Sequence, residues 1–270
     1  MESENNHSND FWDKYFNTIT AYTHDRTVAI IGMKEGNPRE NGSGICIKYE
    51  DRYFIATAAH VLAPYKLNEI ILVHTPEPKK QTKEFPLLNY GWEGGGKKDA
   101  LDIGWIEISG KIVELLGKQF LTVDDVKPGV NFVESQYVML HGFPTVLKEM
   151  EIFSKQSGFL KLNAVTYISS TISTETIDKD PSIDLAMSYP KTVSFNNKTQ
   201  INSEVDGFSG GGMWLTDMGE DKIWVPSKHC KLIGIQYAWK KNQYVVGNQI
   251  QHLLDELKKW IKKNPYPTGA

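Results

Sequence analysis

The chain consists of short apolar, β-branched runs separated by turns, and this spacing restricts its fold more than any other feature. Val28-Ala29-Ile30-Ile31-Gly32 predicts a buried strand. Residues 42–49 and 53–57, separated by Glu50-Asp51-Arg52, predict a hairpin. Residues 69–74 and 103–108 predict two more strands, with residues 91–98, rich in glycine, as a flexible loop between them. A second series follows at 136–140, 158–165, 184–189, 212–215 and 232–237. Many short strands with few helical periods predict an all-β barrel or sandwich. The stretch 110–133 is the expected linker between two halves.

Helical periodicity is confined to the ends. Ile250, Leu253, Leu254, Leu257, Trp260 and Ile261 form one apolar stripe, so a C-terminal helix is expected, stopped by Pro265. Its lysines lie largely off that stripe and near its end, where cations suit the helix dipole. Phe11 to Ala21 predicts a short N-terminal helix, preceded by a disordered polar stretch over residues 1–9.

Composition then excludes several classes. With 40% hydrophobic residues in 270, enough apolar surface exists to offset chain entropy, so the chain is expected to be ordered. A net charge of -3 gives no general attraction to nucleic acid or anionic membranes, and neither partner is expected. Two cysteines, Cys46 and Cys230, do not make a disulfide framework. The polar, acidic start lacks the pattern of a secretory signal, and no apolar run has spanning length; a cytoplasmic location is expected. The histidines are scattered, so no metal and no cofactor are expected. Gly94-Gly95-Gly96-Lys97-Lys98 lacks the spacing and context of a phosphate-binding loop.

Three islands carry chemistry. Thr57-Ala58-Ala59-His60 ends a strand in small residues and delivers an imidazole, the usual general base near neutral pH. Asp102-Ile103-Gly104 places a carboxylate at the mouth of a buried strand, where it needs a partner, whereas Asp99 follows two lysines and is expected to be solvated. Asp206-Gly207-Phe208-Ser209-Gly210-Gly211-Gly212 sets a serine among glycines, so that successive N–H groups can point into one hollow and hold an oxyanion. Taken singly, each has an ordinary structural reading: a strand-end histidine, a turn aspartate, a glycine-rich turn. The Gly-x-Ser-x-Gly pattern also fits the nucleophile elbow of α/β-hydrolases, but those enzymes place the histidine after the serine. His141, before Gly142-Phe143-Pro144, is expected to be structural.

In the order His60, Asp102, Ser209 on an all-β chain, these islands resemble the trypsin-like serine protease family. Gly42-Ser43-Gly44 and the strand Leu232-Ile233-Gly234-Ile235 match as well, and the likeness spans roughly residues 26 to 262. Without a cysteine beside His60 to pair with Cys46, the style is closer to bacterial, disulfide-free members. The resemblance implies two antiparallel β-barrels, with a C-terminal helix and a short N-terminal one. It divides the chain into an extension (1–25), a first barrel (26–134), a second barrel (135–248) and a helix and tail (249–270). It implies a serine endopeptidase with His60, Asp102 and Ser209 as triad, and Gly207 and Ser209 as oxyanion donors. The alternatives are an esterase using the same triad and an inactive binding module on the same scaffold. The implied substrate-binding residues are Ser203, at the floor of the specificity pocket, with Tyr237, Ala238 and Trp239. An uncharged floor implies uncharged, small or medium apolar side chains before the scissile bond. Two positions depart from the family. Phe208 stands where secreted members carry an acidic residue, which implies assembly without N-terminal cleavage. Gln236 and Tyr237 stand where many carry a serine that supports the triad aspartate. Control is expected from a regulatory protein partner or from access to the cleft.

Overall fold

The structure is a computed structural model and describes residues 2–73, 87–96, 100–130, 136–145, 148–154, 157–195, 198–201, 206–216 and 225–265. It opens with helix α1 (Glu2–His24), which starts well before Phe11; residues 2–9, expected to be disordered, lie within it. Threonines make this a poor helix by propensity, and packing compensates. Tyr15, Ile19 and Thr23, spaced by four, are buried on one face. At its end Arg26 Nη1 donates to Tyr22 O (2.8 Å) and Lys118 Nζ to His24 O (2.9 Å). Cations there satisfy the last carbonyls and complement the dipole.

The chain continues through β1 (Thr27–Lys34), β2 (Asn37–Tyr49), β3 (Arg52–Thr57), the single turn α2 (Ala59–Leu62), β4 (Ile70–Val73), β5 (Asn89–Gly94) and β6 (Asp102–Ile108). These strands form one antiparallel sheet in the order β4-β1-β2-β3-β6-β5. Residues 91–94, expected to be loop, are strand. Gly91 sits opposite Trp105, and a Cβ there would come within 2.6 Å of the indole, so the glycine makes room for a ring.

The expected linker holds helix α3 (Gly110–Leu116) and then stitches the two halves together. Leu121 exchanges hydrogen bonds with Cys46 and Lys48 on β2, and Lys127 donates to Leu232 O, in the second half, at 2.9 Å.

The second half contains β7 (Tyr137–Gly142), β8 (Lys148–Ser154), β9 (Ser157–Leu162), β10 (Val165–Ser170), β11 (Asp184–Ser188), β12 (Thr192–Phe195), β13 (Lys198–Ile201), β14 (Gly212–Thr216), α4 (Pro226–His229), β15 (Cys230–Lys240), β16 (Tyr244–Gln249) and helix α5 (Ile250–Lys263). Its main sheet runs β10-β7-β14-β15-β16-β11 and closes on itself through a bridge between Thr171 and Met187. The single strand expected at 158–165 is two strands. It breaks at Asn163-Ala164; β9 pairs with β8 in a hairpin, whereas β10 joins the main sheet.

Each half has its own apolar core: Val28, Ile30, Ile55 and Leu62 in the first, Val138, Leu140, Phe208 and Met213 in the second. A third core lies between them. Ile47, Phe54, Trp105, Met139 and Trp214 are covered there by Ile19 of α1 and by Ile250, Leu253 and Leu257 of α5. The amphipathic stripe of α5 is thus the seal over the junction. Cys46 and Cys230 are buried free thiols.

Candidate active site

Strand β3 carries the chain inward to Thr57, and two buried alanines, Ala58 and Ala59, turn it into α2. The register that pairs Thr57 with Gly104 brings the start of β6 alongside that turn. His60 and Asp102 meet as a result. Asp102 Oδ1 accepts the backbone N–H of His60 at 3.0 Å, and Oδ2 lies 2.8 Å from His60 Nδ1. An ionised carboxylate only accepts, so the proton of the neutral imidazole sits on Nδ1 and the lone pair on Nε2. The aspartate side chain is 14% exposed and the imidazole 39%, so the ring reaches from a sheltered partner into the cleft.

The serine loop, 206–211, is built from the other half and held by the first. Ser43 N–H donates to Ser209 O at 2.7 Å, and Ser43 Oγ donates to Gly207 O at 3.0 Å while accepting Phe143 N–H at 2.8 Å. Thr57 Oγ1 in turn donates to Ser43 O at 2.7 Å. Gly210 N–H donates to Gln236 O (2.7 Å), and Gly211 N–H to Phe208 O (2.6 Å). Gly210 has φ +87°, and a Cβ there would stand 2.0 Å from Ser43 O, so no other residue fits. Phe208 is fully buried in the second core.

These bonds determine where the loop's donors point. Asp206 O accepts Thr145 N–H at 2.5 Å, and Phe208 O is taken by Gly211. All described peptides are trans, so each carbonyl and the N–H of the next residue point in opposite directions. The N–H groups of Gly207 and Ser209 therefore face away from those tethers, and among the described residues neither has an acceptor. Two uncommitted donors flanking a serine suit an oxyanion. His60, Gly207 and Ser209 line one cleft of about 340 Å³, together with Val61, Arg39 and Asp206.

Of the other residues singled out from sequence, Ser203 and Asp99 lie outside the described residues. Tyr237, Ala238 and Trp239 are half-buried on β15 and do not line this cleft. The Tyr237 hydroxyl donates to Asp184 Oδ1 at 3.1 Å. His141 is wholly buried, with Nδ1 against Thr166 Oγ1 (2.8 Å), and burial together with neighbouring His24 and Lys118 pushes it down to about 3. Among the described residues no group of three or more His, Cys, Asp or Glu is placed to hold a metal, and no helix is long and apolar enough to cross a membrane.

Sequence reasoning placed Ser43 only in the Gly42-Ser43-Gly44 match, without a role, and missed Asn248. Ser43 holds the serine loop, and Asn248 holds the main chain of Asp102 by accepting its N–H at 2.8 Å. The only signal for Asn248 was an amide, next to Gln249, ending an apolar strand just before an amphipathic helix.

Two antiparallel six-stranded sheets with a cleft between them and a C-terminal helix define the chymotrypsin-like fold. The comparison with solved structures agrees. An inactivated protease paralogue of the scabies mite is similar at a TM-score of 0.56 and 12% identity, over 90% of this chain and 96% of that one. That likeness establishes the fold. No protein-family model matches the sequence. No curated protein matches it either.

Proposed function

We propose that this protein is a serine endopeptidase. The observation that carries the proposal is the two-point hydrogen bonding of His60 by Asp102, in the cleft that Ser209 shares with two uncommitted N–H groups. In this reading Ser209 Oγ attacks a peptide carbonyl and His60 Nε2 takes its proton. The tetrahedral oxyanion settles on the N–H groups of Gly207 and Ser209. His60 then gives the proton to the leaving amine, and Asp102 stabilises the imidazolium throughout. Water repeats the sequence on the acyl-enzyme. No metal or cofactor takes part in these steps.

The test is labelling by a fluorophosphonate. Stoichiometric modification of Ser209, lost in Ser209→Ala, is the expected result; full labelling of that variant refutes the assignment. Hydrolysis of peptide amides separates an endopeptidase from an esterase, which would act on esters alone. A binding module is the second reading, because the neighbouring scabies mite protein is an inactivated paralogue. Absence of labelling in the folded protein would favour it.

The proposal extends to activation and specificity. Phe208 packs in the core, and α1 runs directly into β1, so the loop needs no new N-terminus to order it. Intact-mass analysis of active protein should show an uncleaved chain. Activity that appears only after removal of the first two dozen or so residues would refute this. The resemblance that assigns Ser203 to the pocket floor supports a preference for uncharged, small or medium apolar side chains before the scissile bond. The proposed compartment is the cytoplasm, and a regulatory partner or blocked cleft access is the proposed control.

A further inference from the structure

Behind the His60–Asp102 pair lies a buried polar chain that the proposed chemistry does not use. Asn248 on β16 is 1% exposed, and every polar atom of its amide is engaged. Oδ1 accepts the Asp102 N–H at 2.8 Å. Nδ2 donates to Asp184 Oδ1 at 3.0 Å and to Ala100 O at 3.3 Å. Asp184 lies directly opposite Asn248 in the β11–β16 ladder, is 5% exposed, and makes no ion pair among the described residues. Its Oδ1 also accepts the Tyr237 hydroxyl, which accepts Lys179 Nζ at 3.0 Å. Tyr237 reaches this spot because β15 bulges between Gln236 and Ala238, leaving residue 237 out of the ladder.

The chemistry of the chain fixes its direction. An amide can be flipped at little cost, and a flipped Asn248 would turn Nδ2 towards the Asp102 N–H, donor against donor. Asp184 prevents this, because a carboxylate only accepts and so holds Nδ2 on its own side. Burial, and the charges of Asp184 and Asp102, push the Tyr237 phenol upward, so it stays a donor to Asp184. Asp102 belongs to the first sheet; Asn248, Asp184 and Tyr237 belong to the second. The chain therefore sets where one half places its carboxylate relative to the other half, which carries Ser209.

We propose that Asn248 is a positioning residue for the triad, kept in its working orientation by Asp184 and Tyr237, and that it aims Asp102 at His60 across the sheet boundary. The inference rests on the proposed hydrolase reading for its kinetic consequence but not for its structural one. The full chain tests it through Asn248→Leu, Asn248→Asp, and Asn248→Asp combined with Asp184→Asn. The combined variant exchanges donor and acceptor while keeping both hydrogen bonds of the 248 side chain to Asp102 and position 184.

Two readouts are needed. One is the low-field proton resonance of His60 Nδ1–H, which reports the bond to Asp102 without reference to activity. The other is kcat and KM on a peptide substrate. Asn248→Leu and Asn248→Asp are expected to lose or broaden the resonance. They should lower kcat on the order of 100-fold, the scale of a misplacement near 1 Å. KM should stay within about twofold, since substrate contacts are untouched. The combined variant should restore both readouts. Single variants that keep the wild-type resonance and kcat overturn the proposal. A combined variant that regains the wild-type melting temperature but neither readout also overturns it, because the chain would then be structural only. A wild-type protein that shows the resonance, loses it in the single variants and regains it in the combined one, yet neither labels nor hydrolyses, supports the positioning role and refutes the hydrolase reading.

Discussion

Glu107 and Asp184 are both buried carboxylates, and the molecule treats them differently. Glu107 is met by Arg52 through two charge-assisted hydrogen bonds, Nε to Oε1 at 2.7 Å and Nη2 to Oε2. The Trp260 indole adds a third at 3.2 Å, and Arg52 Nη1 reaches Asn264 O at 2.6 Å, so the pair fastens the end of α5 to the first sheet. Among the described residues Asp184 receives only neutral donors, from Asn248, Tyr237 and the Asp180 main chain, and burial pushes its carboxyl above the ordinary range. A matched ion pair serves where a joint has only to hold. On the hydrolase reading, a guanidinium beside Asn248 would compete with His60 for the field of Asp102. Neutral dipoles orient the neighbour without discharging it.

The largest effect should separate chemistry from folding. On the hydrolase reading, Asp102→Asn is expected to lower kcat by about 10³–10⁴ with no loss of fold, because the asparagine favours the wrong imidazole tautomer. The same loss in Asp99→Asn, with Asp102→Asn active, would identify the other carboxylate. The opposite pattern is expected at the joint. Arg52→Met strands a buried Glu107 charge and should cost about 3–5 kcal/mol in denaturant unfolding, with kcat of the folded fraction unchanged. Adding Glu107→Leu should recover most of that stability, since a buried pair is often replaceable by apolar residues. If it does not, the pair does more than hold the helix.

His141 extends the comparison to acid. Its folded pKa is pushed from 6.5 down to about 3, so the unfolded chain binds the proton more readily in that window. The stability contribution is therefore complete above pH 6.5 and is lost progressively as pH falls towards 3. His141→Phe keeps an aromatic ring there and removes the titration. The midpoint of acid unfolding, followed by circular dichroism, should move down by about half a pH unit or more. An unmoved midpoint would place the acid-sensitive group elsewhere. The smallest effect concerns Arg39, an exposed cation on the cleft wall with no ion pair among the described residues. On the hydrolase reading, Arg39→Ala should weaken by about threefold any preference for an acidic residue scanned along a peptide substrate. A preference that survives intact would exclude Arg39 from substrate binding.

The residues that meet at the cleft were legible because each stands beside a local signal. Ala58-Ala59 before His60, the apolar run after Asp102 and the glycines around Ser209 are all sequence neighbours of the side chain they serve. Asn248 and Asp184 had no such signal. Val245 to Gln249 are all buried, so strand alternation does not show which way Asn248 faces, and Asp184 is its neighbour only through a ladder between distant segments. Glycines also misled in one place. Gly91 reads as loop until the Trp105 ring that needs its missing side chain is in view. The polar residues 2–9 have no apolar stripe, so periodicity is silent about a helix propagated from the packed turns after Phe11. At 158–165, apolar residues on both sides of Asn163-Ala164 hide the break that sends two strands to two sheets.

Ser43 bonds to Phe143 and Gly207, partners that come 100 and 164 positions later in the chain. In the first sheet β1 with β2 and β2 with β3 pair as hairpins that close over a few residues. His60 and Asp102 come from the first sheet, but Asn248, which holds the Asp102 main chain, and Ser209 come from the second. Loops as long as those that end on Ser43 close late, because their entropy is recovered only when the second sheet docks. On the hydrolase reading, the capacity to cut therefore arrives with the final step of folding. A half-made molecule poses no danger to the unfolded chains around it, its own included.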